Sequence, residues 1–204
     1  AKQVHGLWRC IMQETDSGRC HEVNSKALVN AAGPWVADFI KQQAQSHSPY
    51  AIRLIKGSHI VVPRLYEQEH AFILQNADKR VVFVIPYLDH FSLIGTTDVE
   101  YTGKPGRVTI SAAETKYLLA ESNDYFKQQR TAEDIVWRFS GIRPLCDDES
   151  DNPAAITRDY TLTLDESAGA PLLSVFGGKI TTYRRLAETA LAKLRPYFSH
   201  MTNS

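Results

Sequence analysis

The sequence predicts an α+β fold in which an antiparallel, β-rich middle interrupts two segments that each run from strand into helix. Three observations carry this. Short apolar or alternating runs bounded by Gly, Pro, Asn and Asp outnumber the helical periodicities. Two apolar runs, at residues 27–32 and 172–176, end in glycine and pass directly into helical patterns. Between them the middle carries strand signals, among them a hairpin around Leu88-Asp89-His90.

Residues 4–13 and 19–30 read as strands around the turn signal Asp16-Ser17-Gly18. The second runs into Gly33-Pro34-Trp35, and Pro suits the first turn of a helix, where its missing N–H costs no hydrogen bond. A helix is therefore expected over 34–45, with Trp35, Val36, Phe39 and Ile40 facing inward. Residues 52–62 form a strand region interrupted at Gly57 and closed by Pro63. Residues 81–85 and 91–95 form the hairpin. Ser111 and Glu114 have capping-box spacing and open a helix to about 127, with Leu118, Leu119, Tyr125 and Phe126 on its inner face. Residues 135–143 alternate like a half-buried strand, and the acidic loop 147–151 closes this block. Strands over 160–164 and 172–176 lead into Gly177-Gly178-Lys179. A last helix places Tyr183, Leu186, Ala187, Ala190, Leu191 and Leu194 on one face before Pro196.

This order is the pattern of a substrate domain inserted into a nucleotide-binding domain whose N-terminal half is absent. The boundaries fall at 1–48, 49–152 and 153–204. Ala1 is not an initiator Met, and the chain opens straight into a strand, so an internal piece of a longer protein is expected.

The 204 residues suffice for a sizeable core, and 43% hydrophobic with 23% charged residues is a globular balance rather than a disordered one. Lys+Arg and Asp+Glu cancel at 23 each, which argues against a dedicated nucleic-acid binder. Cys10, Cys20 and Cys146 fit neither a disulfide framework nor a metal spacing, and the histidines show no ligand spacing, so no metal site is expected. No apolar run reaches the length of a membrane span, while peripheral attachment stays open.

Several motifs can carry chemistry. At Phe176-Gly177-Gly178-Lys179-Ile180-Thr181-Thr182-Tyr183, two glycines let another group approach the backbone, and the helix start offers N–H groups and a positive dipole end. An ordinary glycine turn has the same composition, so this motif alone does not decide. In Gly141-Ile142-Arg143-Pro144-Leu145, a stiff segment holds a guanidinium able to grip phosphate or carboxylate with two bonds. Arg158 could act likewise at another strand start, although either arginine alone also suits a surface ion pair. His59, between Gly57-Ser58 and Ile60-Val61-Val62, can take a hydroxyl proton near neutral pH, or serve as a hydrogen-bonded core histidine. Ala31-Ala32-Gly33-Pro34-Trp35 allows close approach of a cofactor or of another backbone.

Taken together and in order, these motifs resemble the flavin-dependent glycerol-3-phosphate dehydrogenases, over nearly the whole chain. Val29-Asn30-Ala31-Ala32-Gly33-Pro34-Trp35, Lys56-Gly57-Ser58-His59-Ile60-Val61-Val62-Pro63, Thr157-Arg158-Asp159-Tyr160 and the Gly-Gly-Lys-Ile-Thr-Thr-Tyr-Arg string from Gly177 to Arg184 carry the likeness. The resemblance implies a two-domain flavoprotein of the D-amino-acid-oxidase superfamily. Residues 1–48 and 153–204 would then belong to an FAD-binding, Rossmann-like domain and 49–152 to the substrate-binding domain. It implies that Ala32, Gly33, Gly178, Lys179, Ile180 and Thr181 line the FAD. Arg143, Arg158 and Lys179 would bind the substrate phosphate and developing alkoxide. His59 would remove the proton, with Arg143 as a rival for part of that role. The implied reaction converts glycerol 3-phosphate to dihydroxyacetone phosphate and passes electrons to a ubiquinone-type acceptor. The implied enzyme is cytoplasmic and peripherally attached to the inner face of the bacterial membrane, with a homodimer as an open assembly.

No Gly-x-Gly-x-x-Gly occurs, so the segment that seats the ADP phosphates is not in this chain. Weak or no FAD binding and no turnover are therefore expected of the chain by itself. Rival readings are an amine- or amino-acid-oxidising relative, a glycerol-3-phosphate oxidase using oxygen, and a non-catalytic module that binds a phosphorylated ligand.

Overall fold

The structure, a computed structural model, describes residues 1–46, 48, 50–146, 160–167 and 169–198. They form two compact units. The first contains Ala1–Arg53 with the described residues from 144 onward, and the second is Leu54–Arg143. Strands dominate and lie in three sheets, mostly antiparallel, with few helices.

In the first unit, β1 (Lys2–Val4), β2 (Leu7–Gln13) and β3 (Cys20–Ser25) form an antiparallel sheet. The single strand expected over 4–13 is two strands. His5 and Gly6 have φ of 52° and 74°, the left-handed pair that a two-residue hairpin turn requires, and Val4 pairs with Leu7 across it. The strand expected over 19–30 is likewise divided: after Ser25 the chain leaves this sheet, and β4 (Leu28–Asn30) joins another.

That second sheet has the order β11 (Tyr160–Asp165), β12 (Leu172–Gly177), β4. β11 and β12 are antiparallel, whereas β12 and β4 are parallel, with Leu172 opposite Leu28 and Ser174 opposite Asn30. β12 is buried along almost its whole length, which suits its mostly apolar sequence. After β4, a helical run passes through a 3-10 turn (Gly33–Trp35), α1 (Val36–Asp38) and a π turn (Phe39–Gln43). Val36 and Ile40 enter the core beside Trp8, Cys146, Ala170, Leu172 and Phe176. Trp35, expected to face inward, is 49% exposed. The last helix is α3 (Tyr183–Leu194). Leu194 is buried, but Tyr183, Ala187 and Leu191 form an exposed stripe four residues apart.

The second unit is built on a sheet of order β10 (Trp137–Cys146), β5 (Ile52–Pro63), β8 (Phe91–Gly95), β7 (Val81–Tyr87), β6 (Phe72–Gln75), with β9 (Val99–Glu100) also on β5. β5 runs through Gly57 without the expected interruption. The hairpin turn between β7 and β8 carries Leu88 and Asp89 at positive φ. α2 (Ala112–Tyr125) lays Leu118 and Leu119 against Ile60, Val62, Val82, Val84 and Ile94. These strand residues share one parity, so one sheet face is core; the other is more open, with Val81, Phe83 and Ile85 exposed although Val61 is covered. Phe126 packs on this cluster as expected, but Tyr125 is half exposed and its hydroxyl donates to the Gln75 carbonyl (2.7 Å).

Candidate functional site

On the open face of the second unit the register sets His59 opposite Gly95, and Gly95 opposite Phe83. Glycine at 95 is required by packing, since a Cβ there would stand 2.0 Å from His59 Cδ2. The imidazole lies over that gap and stacks on Phe139 at 4.7 Å between centroids and 5° between planes. Trp137 continues the row against Phe139. Burial, and secondarily the charge of Arg143, lower the His59 pKa below 6.5, so the neutral ring prevails near pH 7. Its Nδ1 is buried and has no hydrogen-bond partner among the described residues. A neutral imidazole keeps one ring nitrogen able to accept a proton.

Arg143 lies over Gly57 in the same way. A Cβ at Gly57 would come within 1.9 Å of Arg143 Nη2 and 2.6 Å of Thr96 Oγ1. The guanidinium donates from Nη1 to Asp98 Oδ1 (2.5 Å) and from Nη2 to Thr96 Oγ1 and the Thr97 carbonyl (2.9 Å each). Three of its five N–H groups are thus engaged. The remainder belong to a side chain 30% exposed. The N–H groups left, on Nε and Nη1, can each give an anion a single charge-assisted hydrogen bond.

Behind these residues, Glu114 is buried and accepts five hydrogen bonds. Its Oε1 receives Ser58 Oγ (2.7 Å) and Thr97 Oγ1 (2.8 Å). Its Oε2 receives Lys56 Nζ (2.7 Å), the Ser111 N–H (2.8 Å) and Ser111 Oγ (2.7 Å). Burial by itself would raise the pKa of this carboxyl, but the donors from Lys56, Ser111 and Ser58 outweigh it and bring the pKa to about 2.

In the first unit, the turns at Ala31-Ala32-Gly33 and Gly177-Gly178-Lys179 follow β4 and β12. Because those strands are parallel neighbours, both turns leave the same carboxyl edge of the sheet. That edge is where open sheets with parallel strands receive ligands. Asn30, buried at the end of β4, shapes the first turn by donating to the Val36 carbonyl (3.0 Å) and accepting from the Ala32 N–H (3.3 Å). Gly33, Gly177 and Gly178 have φ of 55°, 72° and 105°, backbone states that side-chain-bearing residues rarely adopt. A Cβ on Gly33 would meet nothing within 4 Å. Lys179, Ile180 and Thr181 are exposed at the start of the terminal helix, Ile180 by 88%. Two relaxed glycine turns and an exposed helix start leave room for a flat polar or anionic group against the backbone.

The structure thus gathers His59 and Arg143 in one unit and Ala32, Gly33, Gly178, Lys179, Ile180 and Thr181 at one edge of the other. Arg158 lies outside the described residues. Sequence reasoning missed Thr96, Thr97, Asp98 and Phe139, and it read Glu114 only as a helix cap. The string Gly95-Thr96-Thr97-Asp98 after a strand was the available signal. Among the described residues, no cluster of three His, Cys, Asp or Glu could hold a metal ion.

The family model "FAD dependent oxidoreductase" matches residues 1–184. A glycerol-3-phosphate dehydrogenase of Pseudomonas aeruginosa is 59% identical over 202 residues, 98% of this chain and 39% of that protein. A D-erythritol 1-phosphate dehydrogenase of Brucella abortus is 46% identical over 98% of this chain and 40% of its own length. Among solved structures, the glycerol-3-phosphate dehydrogenase of Bacillus halodurans complexed with FAD superposes with a TM-score of 0.72 at 28% identity. That match covers 95% of this chain and 37% of the other. The chain spans about 40% of the length of the curated relatives it matches. With the family model covering most of its length, the chain belongs to the FAD dependent oxidoreductases.

Proposed function

We propose that this chain is the part of an FAD-dependent dehydrogenase that oxidises sn-glycerol 3-phosphate to dihydroxyacetone phosphate. The observation that carries the reading is the pairing, on one sheet face, of an arginine held by three hydrogen bonds with a neutral histidine whose buried Nδ1 has no partner among the described residues. An anionic carbinol needs both, one group to hold its charge and one to take its hydroxyl proton. Arg143 grips the phosphate or the developing alkoxide, and His59 receives the proton as C2 becomes a ketone.

FAD, when bound, supplies the acceptor for the hydride that leaves C2. The residues present fit such a group. Ala32, Gly33, Gly178, Lys179, Ile180 and Thr181 would hold it, supported by the positive-φ glycines at one carboxyl edge and by the exposed helix start. In this reading residues 1–48 and 153–204 are parts of the FAD-binding domain and 49–152 is a substrate-binding domain inserted between them. The roles of Lys179 and Arg158 toward the substrate are supported by the sequence resemblance. The same resemblance supports a ubiquinone-type acceptor, a homodimer, and peripheral attachment to the inner face of the bacterial membrane. Among the described residues no helix is long and apolar enough to cross a membrane.

The Brucella relative favours a second reading within the same class, a longer phosphorylated polyol as substrate. The test is anaerobic mixing of the full-length protein with glycerol 3-phosphate, and separately with erythritol 1-phosphate, while flavin absorbance is followed. Bleaching by glycerol 3-phosphate is expected. Bleaching by the longer polyol alone selects the second reading, and flavin that bleaches with neither points to an amine- or amino-acid-oxidising enzyme. Reoxidation by quinone or by oxygen then separates dehydrogenase from oxidase.

A further inference from the structure

Glu114 opens α2 as a capping residue, yet only one of its oxygens serves the cap. Oε2 faces the Ser111 N–H and hydroxyl together with Lys56, while Oε1 is turned to Ser58 and Thr97, which a helix cap does not use. A carboxylate only accepts, so each neighbour must donate to it, and this fixes their remaining bonds. Ser58 gives its one hydroxyl proton to Glu114, so the 2.8 Å contact between Ser58 and Ser140 is a donation from Ser140. Thr97 gives its proton to Glu114 as well, and turns a lone pair to the Ser58 N–H (3.0 Å).

Those bonds reach the site directly. Ser58 lies between Gly57, over which Arg143 packs, and His59. The Thr97 carbonyl and the adjacent Thr96 hydroxyl are two of the three acceptors of Arg143. Ser140 is on β10, the strand that carries Arg143 and Phe139. We propose that Glu114 is a positioning residue for substrate binding, setting the guanidinium of Arg143 through Thr97 and the backbone beside His59 through Ser58. This rests on the reading of Arg143 as a substrate-binding residue.

Glu114→Gln keeps the size but turns an amide N–H toward groups that themselves donate, so one side of the network must open. The test is a double-mutant cycle in the full-length holoenzyme, with Glu114→Gln, Arg143→Lys and the double variant compared in kcat/KM. Flavin content and absorbance are measured alongside. Glu114→Gln is expected to lower kcat/KM by about tenfold or more with flavin content unchanged. The double variant is expected within about threefold of Arg143→Lys alone, because residues acting through one another do not lose activity independently. Losses that multiply, or a Glu114→Gln enzyme within about twofold of wild type, would overturn the inference. A near-normal Arg143→Lys enzyme removes Arg143 from the site, and both readings then fall. If Glu114→Gln loses its flavin, Thr97→Val, which leaves the cap of α2 intact, enters the same cycle under the same criteria. Thr97→Ser, which keeps the hydroxyl, should then restore activity.

Discussion

Arg143 and His59 each occupy space that a glycine on a neighbouring position leaves open. The guanidinium is fixed by three hydrogen bonds from two of its nitrogens to three acceptors, a planar pattern that a lysine ammonium on a flexible stem cannot reproduce. Arg143→Lys in the full-length enzyme should therefore lower kcat/KM by roughly a hundredfold, as expected when a positioning contact is displaced by about an ångström. Steady-state kinetics at matched flavin content checks this, and a near-normal value excludes Arg143 from the site. For His59, the sign of the pH effect follows from the lowered pKa. The neutral, proton-accepting ring persists below pH 6.5, so the acid limb of the kcat/KM profile should lie below that value. His59→Gln should remove the limb and lower kcat more than it alters KM. An unchanged profile in that variant assigns the proton to another group. At this scale the sequence was informative about which residue types could act, since His59 and Arg143 stand in recognisable strings. It could not rank them above a core histidine and a surface ion pair, because that ranking depends on burial and partners.

At the scale of elements, α2 is joined to β5 through one carboxylate. Glu114 has its pKa lowered from 4.5 to about 2 by its donors against the opposing effect of burial. A depressed folded-state pKa means stability that is present above 4.5 and lost as pH falls through about 2. The contribution is on the order of 3 kcal/mol. His59 acts in the same direction in a higher window, since its folded form resists protonation between 6.5 and its own lowered value. Urea unfolding of the full-length protein at a series of pH values should therefore show stability falling on acidification in two steps. Glu114→Gln should shrink the lower step, which Asp78, Asp134 and Asp165 share because their carboxyls are also lowered, and an undiminished lower step in that variant would assign it to those carboxylates. The capping box was legible in the sequence because its spacing is local. Its second duty was not, because Ser58 and Thr97 are 56 and 17 residues away along the chain. The hairpin turn at His5-Gly6 was missed for a different reason, since one side-chain-bearing residue at positive φ conceals a turn that two glycines would have announced.

Across the whole molecule, apolar side chains remain exposed in both units. Ile180, Tyr183 and Leu191 are more than half exposed in one, and Ile73 and Trp137 in the other. The 204-residue chain expressed by itself is therefore expected to self-associate in a concentration-dependent way, as surfaces with large apolar groups do. Sedimentation velocity over a range of concentrations checks this, and a monodisperse monomer throughout would show that these side chains are too dispersed to act as a patch. The apolar face of the last helix illustrates the same point. A period of 3.6 residues identified the helix and its apolar stripe, but it could not say whether anything covers that stripe.

The sequence by itself determined the strand-rich α+β character, the capping box, the glycine turns and the identity of the candidate groups. Each of these depends on neighbours a few residues apart, through backbone sterics, side-chain period or a local hydrogen bond. The tertiary structure alone decided that Gly57 makes room for Arg143 and Gly95 for His59, that Thr96 to Asp98 hold the guanidinium, and that Glu114 faces β5 as well as its own helix. Those contacts are set by strand order and register, which bring together residues far apart in sequence, and a short local pattern carries no record of which distant strand will lie beside it.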